Sequence, residues 1–413
     1  MKILIYSQHF WPESFRINDV AQSLHAAGHE VTVLTGQPNY PGGRVFNGYR
    51  AATTGVDAFG DIEVHRVPLV PRGQGSALRL VANYLSFIAS AALFGAWRLR
   101  GRRFDVVFVY ATSPLLQALG AIALARLKGA ALVTWVQDLW PQSLQATGYV
   151  TSPRMLAAVA AVVRWIYARQ QMILVQSPGF VAPVRQLAPP GMPIRVHPNP
   201  AETQVASSGP AALTLPAGFN IVFAGNLGTA QALDSVLNAA EQLRGVADLR
   251  FVLVGSGQRS TWLAENVRTR GLNNVMLPGR FAPEQMPAIL AQAQALLVTL
   301  VDDPAMALTV PSKVQTYLAA GKPILAALGG VGARVVAEAG AGVACAPADA
   351  TALAAAVLRL HALPAAQRQL MGAAGRRYFD LHFSPEHLTP ALLSHLQEAI
   401  DAARLVRGAA RRQ

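Results

Sequence analysis

A single cysteine, Cys345, stands among 413 residues, which excludes an intramolecular disulfide and a thiolate metal cluster. Charge is scarce: Asp, Glu, Lys and Arg make up 14 % of the chain, and the acidic members are fewer, 22 against 35 basic ones. With 52 % apolar residues the chain can bury large cores and is not a disordered sequence. The net charge of +13 asks for an anionic partner, which is nucleic acid, a phosphorylated small molecule or anionic lipid. Paired cysteines, Asp-x-Asp and Gly-x-Ser-x-Gly are all missing, which counts against metal-dependent and serine-hydrolase chemistry. The basic residues are scattered without interleaved aromatics, which argues against a nucleic-acid partner. MKILIYSQHF at the front has no apolar run before polar residues appear, and the expected location is cytoplasmic.

What the chain does have is alternation. Apolar β-rich runs at Lys2–Tyr6, Glu30–Thr35, Ile62–Val67, Asp105–Tyr110, Ala131–Gln137, Met172–Gln176 and Ile194–His197 are separated by helical patterns. Continuous apolar strands between helices predict a parallel sheet covered on both faces, an α/β fold. His197 to Gly218 then carries four prolines and many small residues, and reads as a linker. The alternation restarts at Asn220–Ala224, Arg250–Val254, Asn274–Leu277, Ala295–Leu300, Lys322–Ala327 and Gly342–Cys345. The expected domains are two Rossmann-like halves, 1–200 and 219–383, joined by the linker 201–218 and facing across a cleft that takes the ligand. Leu388, Leu392, Leu396 and Ile400 predict a C-terminal helix over 384–413 that returns to the first half.

Thr309 to Gly330, TVPSKVQTYLAAGKPILAALGG, organises the second half. Ser312 with Gln315 reads as a capping box. Val314, Tyr317 and Leu318 share a helical face, and Gly321 and Pro323 close the helix. A helix N-terminus that carries Lys313, with a strand behind it, is suited to a diphosphate. Gly225-Asn226-Leu227-Gly228, Gly255-Ser256-Gly257 and Pro278-Gly279-Arg280 each follow a strand of this half. Turns of this kind let backbone N–H groups approach phosphate oxygens, although any one alone is an ordinary tight turn. In the first half, Gln137 and Asp138 follow a strand directly. The polar turn Gln8 to Asp19 offers Glu13, Arg16 and Asn18 for an acceptor.

Leu80 to Leu99 holds 20 mostly apolar residues flanked by arginines, barely a bilayer span. Arginine at both ends gives no orientation signal, and Asn83, Ser86 and Ser90 recur on one face with Arg79. The expectation is an internal or interfacial helix whose basic flanks touch anionic lipid headgroups.

The GNLG turn, GSG, PNPAE and above all PSKVQTYLAAGKPIL resemble the glycosyltransferase family 4 enzymes of the GT-B fold. QHFWPESFRINDVAQSLHAAGHEVTVLTGQPNYPGG and WVQDLWPQS resemble the bacterial subgroup that builds O-antigen, capsule and exopolysaccharide, some of whose members are taken to transfer fucosamine-type sugars. The resemblance implies retaining, metal-independent transfer from a nucleoside-diphosphate sugar, UDP-linked, with no cofactor beyond that co-substrate. It implies Lys313 as the cation at the leaving diphosphate, Asp138 and Gln137 beside acceptor or sugar, and a donor site from Gly225 to Gly228, Gly255 to Gly257, Pro311, Ser312 and Gln315. The acceptor implied is a lipid-linked saccharide at the inner face of the cytoplasmic membrane. The chain departs from the family where Ala307 and Gln315 replace two glutamates, where Asn226 and Gln231 replace Arg and Lys, and where Gln137 replaces a histidine. Amides there supply hydrogen bonds but no charge, so Arg16 and Arg280 become candidates to restore it. Asp302 and Asp303, in the loop before the motif, are candidates to reach sugar hydroxyls, the alternative being an ordinary solvated loop. Two other readings are a sugar-nucleotide 2-epimerase of the same architecture and a non-catalytic nucleotide-sugar-binding protein.

Overall fold

The computed structural model describes residues 1–74, 76–146, 150, 152–201 and 212–410. It divides into two compact units, Met1–Pro200 with Pro385–Gln413, and Ala201–Ser384. The linker expected over 201–218 falls largely on 202–211, outside the described residues.

Unit 1 is built on an eight-stranded sheet in the order β3-β4-β2-β1-β5-β6-β7-β8. The strands are β1 Lys2–Tyr6, β2 Glu30–Gly36, β3 Gly55–Phe59, β4 Ile62–Val67, β5 Val106–Ala111, β6 Ala131–Val136, β7 Met172–Val175 and β8 Ile194–Val196. All pairs are parallel except β3 with β4. The central strands are buried along their length because helices cover both sheet faces. β3 is the strand that apolar runs do not reveal. It is an edge strand with alternating exposure, joined to β4 by a turn in which Gly60 takes φ +58°.

One face of this sheet carries helix α1 (Arg16–Ala26) and the C-terminal helix Pro385–Ala410. Ile17, Val20 and Leu24 meet Leu392, Leu396 and Ile400 there over Ile3, Ile5 and Trp135. The other face carries α2 (Ala77–Ser90), α3 (Ala118–Lys128) and α4 (Pro153–Tyr167). The apolar run of α2 continues through a π-helical turn over Ala91–Gly95 and ends at Arg98. Asn83, Phe87, Ala91, Gly95 and Leu99 recur every four residues and are buried. Phe87 packs against Tyr6 with ring centroids 5.4 Å apart.

Unit 2 is a six-stranded sheet ordered β11-β10-β9-β12-β13-β14, every pair parallel. Its strands are β9 Phe219–Asn226, β10 Leu249–Ser256, β11 Val275–Gly279, β12 Ala295–Thr299, β13 Ile324–Ala327 and β14 Gly342–Cys345. This is the doubly wound order, and its direction reverses between β9 and β12, where such sheets open a crevice beyond the strand ends. β9, β10 and β11 run further than their apolar stretches. Gly225 and Asn226, Gly255 and Ser256, and Gly279 therefore lie in the last strand residues and not after them. Cys345 ends β14 partly buried, and burial pushes its thiol up to about 11.

Helix α5 (Ser312–Ala319) follows β12. Its cap departs from the sequence expectation: Pro311, with φ −59° and ψ 138°, is the N-cap, Ser312 is the first helical residue, and no side chain caps the end. Proline's fixed φ sets the entry one residue earlier than a serine cap would. The capping box of Ser312 with Gln315 is thus not formed. Val314, Tyr317 and Leu318 face inward as their spacing predicts.

Candidate functional site

In unit 2 the glycine-rich strand ends converge beside α5. Gly225 ends β9 with φ +133° and Gly255 ends β10 with φ +142°, backbone that only glycine adopts freely. They pack on each other so tightly that a β-carbon built on Gly255 would lie 1.8 Å from the Gly225 carbonyl oxygen. Asn226 lies between two further glycines, since a β-carbon on Gly228 would meet its Nδ2 at 2.7 Å and one on Gly257 its Oδ1 at 2.6 Å. Leu227 donates its N–H to the Ser256 carbonyl at 3.0 Å, which joins the two turns.

Lys313 reaches this cluster from the first turn of α5. Its Nζ sits 4.8 Å from the Phe223 ring centroid, and a β-carbon on Gly225 would lie 3.1 Å from it. Among the described residues no carboxylate comes within ion-pair distance of Lys313. Burial alone lowers its pKa from the ordinary lysine value. A partly buried ammonium without a counterion, beside the open first turn of a helix and a sheet reversal, is an anion-binding arrangement. The position of α5 is fixed by Tyr317, whose hydroxyl accepts the Ala224 N–H at 2.9 Å. β9 needs that partner because it pairs with β12 only at Ile221 and Val222.

The other donor-site candidates divide. The Gly228 N–H is taken by Gln231 Oε1 at 3.0 Å, and the Gly257 N–H by Ser260 Oγ at 2.8 Å. These two amides therefore already have partners within their own turns. Gln315 is buried on α5 beside Val314. Arg280 follows β11 at the sheet edge, exposed and without a carboxylate partner among the described residues. A shallow recess, open to solvent, lies next to α5 and is lined by Asp302, Asp303, Met306, Ala307, Pro311 and Gly329. Asp303 is engaged in capping the Pro304–Ala307 turn through the Ala305 and Met306 N–H groups, whereas Asp302 is exposed.

In unit 1 the candidates gather beyond the C-terminal ends of β1, β5 and β6. Gln137 Oε1 accepts from Asn199 Nδ2 at 2.8 Å, and Gln176 Nε2 donates to the Gln137 carbonyl at 2.6 Å. Gln137 Nε2 is buried without a partner in the structure. Asp138 Oδ2 accepts the Ser113 N–H at 2.9 Å. Glu13 is buried and engaged through both oxygens: Oε1 accepts from the N–H groups of Asn39 (2.7 Å) and Tyr40 (2.6 Å), and Oε2 meets His9 Nδ1 at 2.9 Å. Asn18 braces the same turn, donating to the Glu13 carbonyl and accepting from the Trp11 N–H. Glu13 and Asn18 thus shape the loop, while Arg16, at the start of α1, pairs with Asp19 at 3.8 Å. The sequence reading passed over His9, which stacks on Phe15 with centroids 5.0 Å apart, and over Asn199 and Gln176. The four-residue step from His9 to Glu13 was a usable signal, but it falls in a loop and not on a helix. Among the described residues no group of three His, Cys, Asp or Glu side chains is arranged to hold a metal.

Comparison with known proteins agrees with this geometry. Residues 14–200 match the family model of the glycosyl transferase 4-like domain, and residues 218–362 match the model of glycosyl transferases group 1. A protein of Escherichia coli (strain K12) named as a colanic acid biosynthesis glycosyl transferase, WcaI, is 28 % identical over 338 residues, 78 % of this chain and 82 % of its own. Among solved structures, sucrose-phosphate synthase from Thermosynechococcus elongatus superposes with a TM-score of 0.72 at 17 % identity, covering 97 % of this chain and all of the other. HepE from Anabaena, in complex with UDP, gives 0.65 at 13 % identity, covering 96 % of this chain and all of the other. Matched in turn by the two models, and with a doubly wound sheet in each unit, the chain carries a glycosyl transferase 4-like domain followed by a glycosyl transferases group 1 domain, in a GT-B fold.

Proposed function

We propose that the protein transfers a glycosyl group from a UDP-linked sugar to a lipid-linked saccharide in bacterial surface-polysaccharide synthesis. The observation that carries this reading is Lys313, a partly buried ammonium without a carboxylate partner, held against Gly225 where the sheet reverses. Loss of a nucleoside diphosphate from the anomeric carbon leaves negative charge on phosphate oxygens. A fixed cation and a helix N-terminus stabilise that charge as it forms. The WcaI relative is named for colanic acid synthesis, and HepE was crystallised with UDP and with UDP-glucose, which supports the donor and polymer classes proposed here.

In this reading Lys313 and the first-turn amides of α5 hold the leaving diphosphate without a metal. The acceptor hydroxyl oxygen attacks the anomeric carbon on the face from which the diphosphate departs and its proton passes to the departing phosphate oxygen, so configuration is retained. Gln137, with its unpartnered Nε2, donates to a hydroxyl of sugar or acceptor. The transferred sugar is a hexose or an N-acetylhexosamine, the fucosamine type included. Because the acceptor is lipid-linked, the protein works peripherally at the inner face of the cytoplasmic membrane.

A thermal-shift titration with UDP and GDP, run on the wild type and on Lys313→Ala, tests the donor site, since a ligand that binds only the folded state raises the melting temperature. UDP stabilisation that the substitution removes is the expected result. Equal shifts in both proteins would place the diphosphate elsewhere. Stabilisation by UDP without transfer to any lipid-linked acceptor would favour a non-catalytic binding protein.

A further inference from the structure

The helical layer formed by α2, α3 and α4 carries large apolar side chains on its outer side as well as on its buried side. Asn83 is fully buried, where it donates Nδ2 to the Val70 carbonyl at 2.7 Å and accepts from Gln8 Nε2 at 2.6 Å. Large apolar side chains of the same stretch point to solvent, with Leu78 83 % and Leu93 70 % exposed, and Leu85 and Trp97 more than half. The stretch Ala77–Arg98 is long and apolar enough to cross a bilayer by length and composition. Its inward stripe, however, is seated on the sheet by Asn83 and Phe87, so it presents one side and does not span. The neighbouring helices on this sheet face continue the pattern, with Leu127 on α3 and Val162 and Trp165 on α4 exposed. Exposed apolar area on this scale marks an interaction site.

Charge identifies the partner. From residue 64 to residue 201 the chain holds fourteen Lys and Arg but only two carboxylates, Asp105 and Asp138. Both of these accept backbone N–H groups, from Lys2 and Ser113. Arg79, Arg100, Arg103, Arg126, Arg154 and Arg164 lie on or beside these helices, and no carboxylate pairs with any of them among the described residues. The exposed Trp97 and Trp165 of this layer sit under arginines: Arg169 lies 3.5 Å from the Trp165 ring centroid and Arg100 4.9 Å from that of Trp97. An amphipathic ring beside a cation is the chemistry of a bilayer interface, with rings among the headgroups and guanidinium on phosphate. A second copy of this chain is a poor occupant, because it would bring two basic surfaces together.

We infer that the α2–α3–α4 face of unit 1 inserts into anionic lipid, with apolar side chains entering the acyl boundary and arginines on the headgroups. This deepens the membrane-linked acceptor reading, and its test does not depend on that reading. The full chain is sedimented with vesicles of phosphatidylcholine alone or mixed with phosphatidylglycerol, at low salt and at about 1 M salt, where charges are screened. Three variants accompany it: Leu85→Ser with Leu93→Ser, Val162→Ser with Trp165→Ser, and Arg100→Ser with Arg103→Ser. The wild type should prefer the anionic vesicles and keep part of its binding at high salt. Each apolar pair should lower affinity at least about tenfold, since two exposed side chains lose their burial in lipid. The arginine pair should weaken binding only at low salt.

Binding that salt abolishes and neither apolar pair affects would leave surface charge alone and overturn insertion. Self-association without lipid, lost in the apolar variants, would assign the face to a second copy and likewise overturn it. The UDP thermal shift, measured on every variant, keeps the two readings apart. If vesicle binding fails while the shift remains, only the membrane face falls, and the reverse result removes only the donor site.

Discussion

Lys313 and Gly225 occupy one another's space: the lysine stem passes where a side chain at residue 225 would stand, 2.8 Å from Cε to a β-carbon built there. The strand end was therefore kept free of a side chain in the place where the cation lies. Gly225→Ala adds this clash to a φ of +133° that alanine tolerates poorly. It should displace the ammonium and cost about tenfold in UDP affinity, or about 1.4 kcal/mol. Titration calorimetry checks this, with circular dichroism to show that the sheet persists.

The same lysine should make donor binding sensitive to pH. Burial lowers its pKa below the ordinary 10.5, so the folded chain loses this proton at a lower pH than the unfolded one. Between the folded and unfolded values the unfolded chain binds more protons, and stability from this group rises with pH across that window. Diphosphate needs the charged form, so UDP affinity should fall as pH rises through the lowered pKa towards 10.5. Lys313→Arg, which stays charged, should flatten the fall. Calorimetry from neutral pH to about 10 decides it.

Tyr317 supplies what the sheet does not. Its hydroxyl takes the Ala224 N–H beyond the reach of β12. Tyr317→Phe keeps the ring but leaves a buried donor without an acceptor, which should cost about 1–3 kcal/mol in chemical denaturation. A smaller change, within a few tenths, would show that water replaces the hydroxyl.

His197 joins unit 1 to its last helix and reports acid sensitivity. Its ring lies 5.1 Å from that of Trp135 and 6.1 Å from that of His395. Burial, with His395 second, holds its pKa down at about 3 from 6.5. The unfolded chain therefore takes up a proton that the folded one refuses, and stability falls as pH drops from about 6.5 towards about 3. The slope from this residue cannot exceed about 1.4 kcal/mol per pH unit. Melting curves across that range should show a shallower fall for His197→Leu.

Most of both sheets was legible because buried parallel strands are written as unbroken apolar runs. The ends of β1, β4 and β14 were readable to the residue. β3 was not, because this edge strand has no fully buried residue and its apolar Val56 and Ala58 lie on the exposed side, which gives no run. The convergence of Gly225, Gly255 and Lys313 followed from glycines at strand ends and a lysine at a helix start. The cap on α5 was misread because Ser312 has the right side chain while Pro311 has the right backbone. The hydrogen bond of Tyr317 was invisible, since spacing places the ring inward but says nothing of where its oxygen arrives. Asn83 carried half a signal: a polar stripe was apparent in sequence, and only packing shows that Asn83 is its buried member, with Ser86 and Ser90 half-buried and Arg79 exposed.

Unit 1 is assembled from two pieces of chain, with unit 2 lying between them in sequence. Its core includes Leu392, Leu396, Ile400 and Ala403, which leave the ribosome after every strand of both sheets. During synthesis the first sheet must wait with one face open, Trp135 and Ile5 included, until some two hundred further residues have been added. Unit 2, being continuous, can close on its own during that interval. The nascent protein thus completes its second-made half first, and a chain cut short before Pro385 would consist of a finished unit 2 and an unsealed unit 1.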